Sequence, residues 1–455
     1  MRLERLHLHF MGAGGAGMAA LAELHLARGG RASGCDAHPS ARIERLRRRG
    51  ADVVTGHDPA HVEGADALVY SAAIPTTHPE IAAARSAGIP VVRRATLLAE
   101  MGRGRSVLAV AGTHGKTTTT ALLGWVLTRL GLDPTVAAGG LVPAFDGHSR
   151  HGSGEAMVCE ADEYDRSFLE LNPAWLIVTN VEPEHLEVYG TVEELERAFV
   201  ELARRVPFYG ALVACADDPG AARVAAAAGV RTLSYGVSEG AWLRAAAVES
   251  GASGSRAVIS AGGRRLGELR VTQPGLHNLA NALAATAVAL DLGLGFAAVA
   301  EAVAAFTGVA RRFEIVGASD GVTVVDDYAH HPTELAALLA AARQRFPGHR
   351  LMVVFQPHLY SRTERFAGEL GRVLARADLA IVAPVFAARE EPIPGVDAAL
   401  VARAVQTAGG TARTAADLDD ALALVRRLLE PGDVVLTAGA GDIDRVARRL
   451  VEVAP

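Results

Sequence analysis

Twice in this chain an apolar strand runs into a glycine-rich turn and directly on into a helix. The first case is Leu6 to Met11 followed by Gly12-Ala13-Gly14-Gly15-Ala16-Gly17, and the second is Val107 to Ala111 followed by Gly112-Thr113-His114-Gly115-Lys116-Thr117-Thr118. No other feature constrains the fold as strongly. A strand, a tight turn and a helix in succession are half of a βαβ unit, and such units build parallel sheets whose ligand-binding loops gather at the carboxyl ends of the strands. The N–H groups of each turn and the positive end of the helix dipole favour phosphate there.

The second turn carries the only lysine of the chain. Of 45 cationic residues, the other 44 are arginine, so arginine has been taken wherever the two are interchangeable. A lysine placed at random among the basic positions would land in this turn roughly one time in 45. Lys116 is therefore read as chemically required, since a compact ammonium fits a narrow phosphate cradle and a planar guanidinium does not. In such a loop Lys116 reaches the terminal phosphate of ATP and the Thr117 hydroxyl ligates Mg2+. The strict pattern has glycine where this chain has Val110.

At 455 residues the chain exceeds one ordinary core, and alternating strands and amphipathic helices fall into three blocks. The first closes near Gly102 to Gly104. The second runs from Ser106 to an alanine-rich helical region ending around Thr307 to Ala310, with short strands and turns over Gly251 to Arg265. The third follows Arg311-Arg312-Phe313, with strands near Val322 to Val325, Leu351 to Phe355, Leu379 to Ala383 and Val434 to Thr437. Domains over residues 1–104, 105–310 and 311–455 are expected.

A net charge of −6 gives no overall attraction for nucleic acid, and runs such as Arg45 to Arg49 read as a solvated helix face. Every apolar stretch is broken well short of the ~18 residues of a membrane span, so no membrane insertion is expected. Cys35, Cys159 and Cys215 are too few and too far apart for a disulfide framework or for closely spaced metal ligands. Met1 to Phe10 alternates like a strand rather than like a signal peptide, and a cytoplasmic location is expected.

Further candidates follow other strands. Glu160 ends the strand Ala156 to Cys159, and His185 lies in Asn180-Val-Glu-Pro-Glu-His185 after Leu176 to Thr179. At that edge of a sheet a carboxylate and an imidazole can complete the coordination of a metal around ATP phosphates, although Mg2+ prefers oxygen. Asn278 and Asn281 stand one helical turn apart and either read an adenine edge or, for Asn278, cap the helix. In Asp326-Asp327-Tyr328-Ala-His330-His331-Pro332 a carboxylate can bind ribose hydroxyls, and Pro332 suits the first turn of the next helix. In Gln356-Pro-His358-Leu359-Tyr360-Ser-Arg362, Arg362 either clamps a carboxylate or phosphate or is a surface arginine.

Taken together, these motifs resemble the Mur ligases over essentially the whole chain, and within that family the branch that adds L-alanine. Gly12-Ala-Gly-Gly-Ala-Gly-Met18, Ser71-Ala-Ala-Ile-Pro75, Gly112 to Thr120, Glu160-Ala-Asp-Glu163, Asp326 to Glu334, Pro392-Ile-Pro-Gly395 and Gly439-Ala-Gly-Asp-Ile443 occur in the family's order. The resemblance implies an α/β protein of three domains: an N-terminal Rossmann-like domain for the UDP-linked substrate, a central P-loop ATPase-like domain with a parallel or mixed sheet, and a C-terminal Rossmann-like domain that binds the amino acid and closes over ATP. It implies that ATP and Mg2+ serve to join L-alanine to the lactyl carboxylate of UDP-N-acetylmuramate through an acyl phosphate, in peptidoglycan precursor synthesis, by a monomer or weak homodimer.

Carried over by position, the resemblance gives Lys116, His185, His330 and Arg362 catalytic roles. It gives ATP to Gly112, Thr113, His114, Gly115, Lys116, Thr117, Thr118, Asn278, Asn281, Arg312 and Asp327, and metal to Thr117, Glu160 and His185. Gly12, Gly14, Gly15, Ala16, Gly17, Ser71, Tyr328 and His358 would meet the substrates. The single lysine argues against the members of the family that hold metal with a carbamylated lysine. Tyr164 and Leu359 depart from the alanine-adding pattern, Tyr164 toward the tripeptide-recycling ligase, which puts amino-acid selectivity in question more than reaction type. Two other classes stay open on the residues alone. An NAD-dependent dehydrogenase rests on the first glycine turn and Asp36 and ignores the second turn, and a non-catalytic nucleotide-binding regulator ignores the metal and acceptor motifs.

Overall fold

Val, Leu, Ile and Ala fill most strands without polar alternation, as strands covered on both faces require. They form three separate sheets in a computed structural model that describes residues 3–319, 321–388 and 390–452. The first sheet contains β1 (His7–Met11), β2 (Arg31–Asp36), β3 (Asp52–Thr55), β4 (Ala67–Tyr70) and β5 (Val91–Arg93) in the order β3-β2-β1-β4-β5, all parallel. Its strand order reverses between β1 and β4, which opens a crevice beside the turn that follows β1.

The second sheet is built from β6 (Ser106–Ala111), β7 (Thr135–Val142), β8 (Gly147–Arg150), β9 (Ala156–Glu160), β10 (Trp175–Val178), β11 (Ala211–Cys215), β12 (Thr232–Gly236), β13 (Leu243–Gly251), β14 (Gly254–Ala261) and β15 (Arg264–Val271). Their order is β15-β14-β13-β12-β11-β10-β6-β9-β7-β8. The central strand β6 runs parallel to both β9 and β10, so the loops after all three emerge at one edge. The third sheet joins β16 (Glu314–Ser319), β17 (Val322–Asp327), β18 (Leu351–Phe355), β19 (Leu379–Val382), β20 (Ala412–Thr414) and β21 (Val434–Ala438) in the order β16-β17-β21-β18-β19-β20. Only β16 is antiparallel to its neighbour there. Strands β16 and β20 and the full length of β13 to β15 go beyond the strands expected from the sequence.

Helices α1 (Ala16–Ala27), α2 (Ala41–Arg48), α3 (Pro79–Ser86), α4 (Arg94–Met101) and α5 (Lys116–Arg129) cover the first sheet and one face of the second. Arg45 is not a solvated member of its run. Its Nε donates to Glu23 Oε1 at 3.0 Å, and the buried Glu23 also accepts from His148 N at 3.0 Å and Ser149 Oγ at 3.2 Å, so α1 and α2 are pinned to β8. The first sheet and the second, apart from the ends of β13, β14 and β15, belong to one compact unit, made of residues up to Val248, Ala257–Arg270 and Leu279–Val309. A second unit contains the third sheet together with Glu249–Arg256 and Val271–Asn278. Among the described residues no helix is long and apolar enough to cross a membrane.

Candidate active site

The turn after β6 is shaped by two glycines. Gly112 has φ +132° and a Cβ there would stand 2.0 Å from Thr179 Oγ1, while Gly115 has φ +81° and a Cβ there would stand 2.6 Å from Asn281 Oδ1. No L side chain suits either place. Residues at the end of β10 then lock the turn. Thr113 N donates to Asn180 O at 3.0 Å, His114 N to Asn180 Oδ1 at 2.7 Å, and Thr179 Oγ1 to His114 O at 2.6 Å. Thr113 Oγ1 accepts from Glu182 N at 2.9 Å. Val110 is fully buried inside β6, paired with Ile177 and Glu160. The strand extends one residue past the point where the strict pattern would already have turned.

Lys116 opens α5 and folds back over the turn. Its Nζ donates to Gly112 O at 2.6 Å, to Thr113 O at 3.2 Å and to both oxygens of Glu163 at 2.9 Å. Glu163 is buried and its backbone carbonyl accepts from Tyr189 Oη at 2.5 Å. Desolvation opposes the lysine charge, but Glu163, Asp162 and Glu160 outweigh it and lift the ammonium above the ordinary lysine value. Burial pushes the Glu163 carboxyl up even against Lys116, yet the symmetric contact with both oxygens is that of an ionised pair. Of the acids in the run after β9, Glu163 is the one that turns fully inward. Glu163 received no role from the sequence, because an acid three residues past another gives no sign of which will turn inward.

Thr117 Oγ1 lies 3.0 Å from Glu160 Oε2, which also accepts from Gly139 N at 2.8 Å. A hydroxyl and a carboxylate oxygen side by side, one residue from Lys116, are the hard donors that Mg2+ takes in nucleotide sites. His185 sits in a left-handed conformation at φ +55°, its ring edge-on to Tyr164, with Nε2 4.0 Å from Glu163 Oε1 and Nδ1 3.5 Å from Glu187 Oε1. The structure therefore brings Lys116, Thr117, Glu160, Glu163 and His185 together. Asn281, buried on the helix Leu276–Asp291, stands against the same turn.

In the first sheet Gly12 has φ +79° and Gly14 N donates to Asp36 Oδ2 at 2.9 Å. Asp36 also accepts from His38 N at 3.1 Å, so its carboxylate shapes the glycine turn instead of standing out to meet a ribose. Gly15 is the N-cap of α1, which places Ala16 and Gly17 in the first helical turn. Ser71 follows β4 across the crevice, its Oγ accepting from Ala73 N at 3.4 Å. Arg94, whose side chain lies over Gly17, donates to Asp162 Oδ2 at 3.1 Å and so ties this turn to the acidic run of the second sheet. That bridge had no signature in the sequence.

The second unit gathers its own set. Asp327 ends β17 and accepts from Phe313 N and Ala329 N, both at 2.7 Å, while burial pushes its carboxyl upward against Arg312. Arg312 lies over the Tyr328 ring at 5.0 Å. The rings of Tyr328 and His330 meet edge-on at 5.6 Å, and those of His330 and His358 at 5.5 Å. Arg362 Nη1 is 3.2 Å from His358 Nδ1. His330 Nδ1 is 3.2 Å from Glu334 Oε2, and Pro332 begins the helix Pro332–Arg345 as expected. Asn278 also falls in this unit; it is buried and donates through Nδ2 to Pro274 O at 2.8 Å.

Three family models match in chain order: Mur ligase family, catalytic domain, over residues 7–106; Mur ligase middle domain over 110–289; and Mur ligase, glutamate ligase domain, over 311–441. The chain is 48% identical to a UDP-N-acetylmuramate--L-alanine ligase of Kineococcus radiotolerans, with 99% of this chain and 96% of that one covered. It is 43% identical to the ligase of the same name from Solidesulfovibrio magneticus, covering 99% of each. The crystal structure of the UDP-N-acetylmuramate-alanine ligase of Thermotoga maritima superposes with a TM-score of 0.87 at 29% identity, over 98% of this chain and 99% of that one. A murein peptide ligase of Psychrobacter arcticus gives 0.74 at 25% identity, over 99% and 100%. The alanine-adding ligase is thus the better structural match of the two, despite Tyr164. The chain belongs to the Mur ligase family.

Proposed function

We propose that this protein is an ATP-dependent ligase that joins L-alanine to the lactyl carboxylate of UDP-N-acetylmuramate in peptidoglycan precursor synthesis. The observation that carries the reading is the lone Lys116, folded between its glycine turn and the buried Glu163, in a chain whose full-length relatives bear that ligase name. The domain division at residues 104/105 and 310/311 belongs to the same reading, as do a cytoplasmic location and a monomer or weak homodimer.

The turn Gly112 to Thr118 holds the ATP phosphates on its N–H groups and on the positive end of α5. Lys116 leaves the carbonyls of Gly112 and Thr113 and follows the terminal phosphate as it passes to the carboxylate, giving ADP and an acyl phosphate. The alanine amine then attacks the acyl carbon, the tetrahedral intermediate collapses, and inorganic phosphate departs with the carboxylate oxygen that had carried it. Fixed donors aimed at oxyanions that form only in flight give most of the acceleration in such reactions. Thr117 and Glu160 would hold Mg2+, which supplies charge neutralisation at the phosphates, and His185 is assigned to a second metal ion. Gly12, Gly14, Gly15, Ala16, Gly17 and Ser71 are assigned to the UDP substrate, Asn278 and Asn281 to adenine, and Arg312 and Asp327 to the ATP phosphates and ribose. Tyr328, His330, His358 and Arg362 are assigned to the amino acid and the carboxylate it attacks.

Purified protein with ATP, Mg2+, UDP-N-acetylmuramate and one amino acid at a time tests the reading by ADP release and amide product. Turnover should be fastest with L-alanine. No amide with any amino acid or with the tripeptide would overturn it.

A further inference from the structure

The first sheet carries a polar cluster that ligation does not use. His7, His9 and Met11 alternate onto one face of β1, and the register with β2 sets His9 beside Ser33 and Met11 beside Cys35. The buried Glu80 comes from α3, and His57 follows β3. A ring nitrogen of His9, Cys35 Sγ and a Glu80 oxygen lie within 4.8 Å of one another, and all three residues are buried. Parallel sheets are ordinarily apolar on such a face, so the cluster needs an explanation.

Hydrogen bonding decides what His9 offers. His7 Nδ1 is 2.9 Å from Gly64 O, which can only accept, so Nδ1 carries the proton and a neutral His7 has its lone pair on Nε2. Ser33 Oγ, 2.9 Å from that Nε2, donates to it. Ser33 Oγ must then accept from His9 Nδ1, also at 2.9 Å. The neutral His9 ring is left with a lone pair on Nε2, and that atom is buried with no hydrogen-bond partner among the described residues. An orphaned buried acceptor of this kind costs free energy unless something electrophilic meets it.

The surrounding groups are oriented for the same purpose. Glu80 Oε1 is occupied by Asp58 N at 2.8 Å and His61 Nδ1 at 3.0 Å, which leaves Oε2 facing Cys35 Sγ at 3.2 Å and His57 Nδ1 at 3.1 Å. Cys35 Sγ and His57 Nδ1 are 3.4 Å apart. Donors about 2.0 to 2.3 Å from a tetrahedral zinc are separated by about 3.3 to 3.8 Å; the Cys35, Glu80 and His57 spacings lie close to that range, and the His9 ring, within 4.8 Å of Cys35 and Glu80, has to move inward to complete the set.

From this arrangement we infer that His9 Nε2, Cys35 Sγ, Glu80 Oε2 and His57 Nδ1 form a structural Zn2+ site in the N-terminal sheet. Sulfur and imidazole donors select zinc over Mg2+ or Ca2+. Binding expels the thiol proton of Cys35 to solvent and requires the His57 ring proton, which faces the acceptor Glu80 Oε2 in this structure, to shift from Nδ1 to Nε2; the two negative charges of thiolate and carboxylate then balance the ion. Ser33 and His61 hold the outer sides of His9 and Glu80, as second partners of metal ligands commonly do. The ligands are spread from residue 9 to residue 80 over different βα units, which is why no ligand spacing marks them in the sequence.

Full-length protein stripped with EDTA, supplied with Zn2+ or Co2+ and desalted provides the test. Wild type should retain about one zinc per chain, melt at a higher temperature with zinc than without it, and show a sulfur-to-cobalt charge-transfer band in its Co2+ form. Cys35→Ser should abolish that band, and His9→Gln should lower retained zinc at least tenfold, with circular dichroism checking that both variants are folded. If either variant fails to fold, the wild-type cobalt spectrum and zinc-dependent melting decide. No retained zinc, a cobalt form without the thiolate band, or equal zinc in wild type and Cys35→Ser would overturn the site. Ligase activity does not enter the measurement.

Discussion

Lys116 Nζ lies 2.9 Å from both carboxylate oxygens of Glu163, with Gly112 O at 2.6 Å on its other side. The ammonium is thus held at the mouth of the turn by groups it can exchange for phosphate oxygens. Lys116→Arg should lower turnover by roughly three orders of magnitude, at the upper end of what a lost oxyanion donor costs, because the planar fork does not fit between Gly112 and Glu163. Affinity for UDP-N-acetylmuramate, measured by calorimetry, should stay within about twofold. Near-normal turnover would show that the solitary lysine is incidental.

Glu163→Ala removes the partner of a buried charge. Breaking such a pair costs about 3–5 kcal/mol, and Asp162 and Glu160 nearby should keep the loss toward the lower end. Denaturant unfolding that matches wild type would mean that Lys116 does not depend on Glu163.

At Gly112 an added methyl would stand 2.0 Å from Thr179 Oγ1 at a φ of +132°. Gly112→Ala should destabilise the protein by about 3 kcal/mol or more and abolish ATP binding in a fluorescent-nucleotide titration. Retained ATP affinity would contradict the assigned loop geometry.

Thr117 and Glu160 supply the oxygen pair proposed for Mg2+, 3.0 Å apart. Glu160→Gln should raise the Mg2+ concentration needed for half-maximal turnover at least tenfold, by analogy with the loss of other metal-site partners, and EDTA should stop wild-type turnover altogether. An unchanged Mg2+ dependence in Glu160→Gln would remove that residue from the metal site.

His25, fully buried on α1, donates through Nε2 to Leu6 O at 2.9 Å. Desolvation lowers its pKa below the ordinary 6.5. The native state therefore keeps the ring neutral while the unfolded chain takes up a proton. No penalty exists above pH 6.5, and stability declines as the pH falls from there toward the depressed folded value. His25→Gln keeps a donor for Leu6 without titrating, so its melting temperature should drop less than that of wild type between about pH 7.5 and about pH 5. Equal drops would exclude His25 as a contributor.

How much of this was legible in the sequence follows from how local each feature is. The turns after β1 and β6 each lie within one strand–turn–helix segment, and both are where the glycine patterns put them. Glu160 and Pro332 stand at their expected element ends for the same reason, whereas His185 lies beyond the end of β10, at the start of the helix Leu186–Tyr189. The Lys116–Glu163 pair, the Asn180 clamp on the turn and the Arg94–Asp162 bridge depend on which strands become neighbours, and spacing along the chain does not encode that. Arg45 looked solvated because its partner Glu23 lies on another helix. Asp36 suited a dinucleotide site by its distance from the glycine turn alone, and that distance does not show that its carboxylate turns onto Gly14 N.

In the proposed reaction Lys116 and its turn activate the lactyl carboxylate by phosphorylation before the amine attacks. UDP-N-acetylmuramate labelled with oxygen-18 in its lactyl carboxylate, turned over with ATP and L-alanine, tests this most directly by mass spectrometry of the released phosphate. One labelled oxygen is expected in each phosphate formed. Amide formation with no label in the phosphate would contradict it.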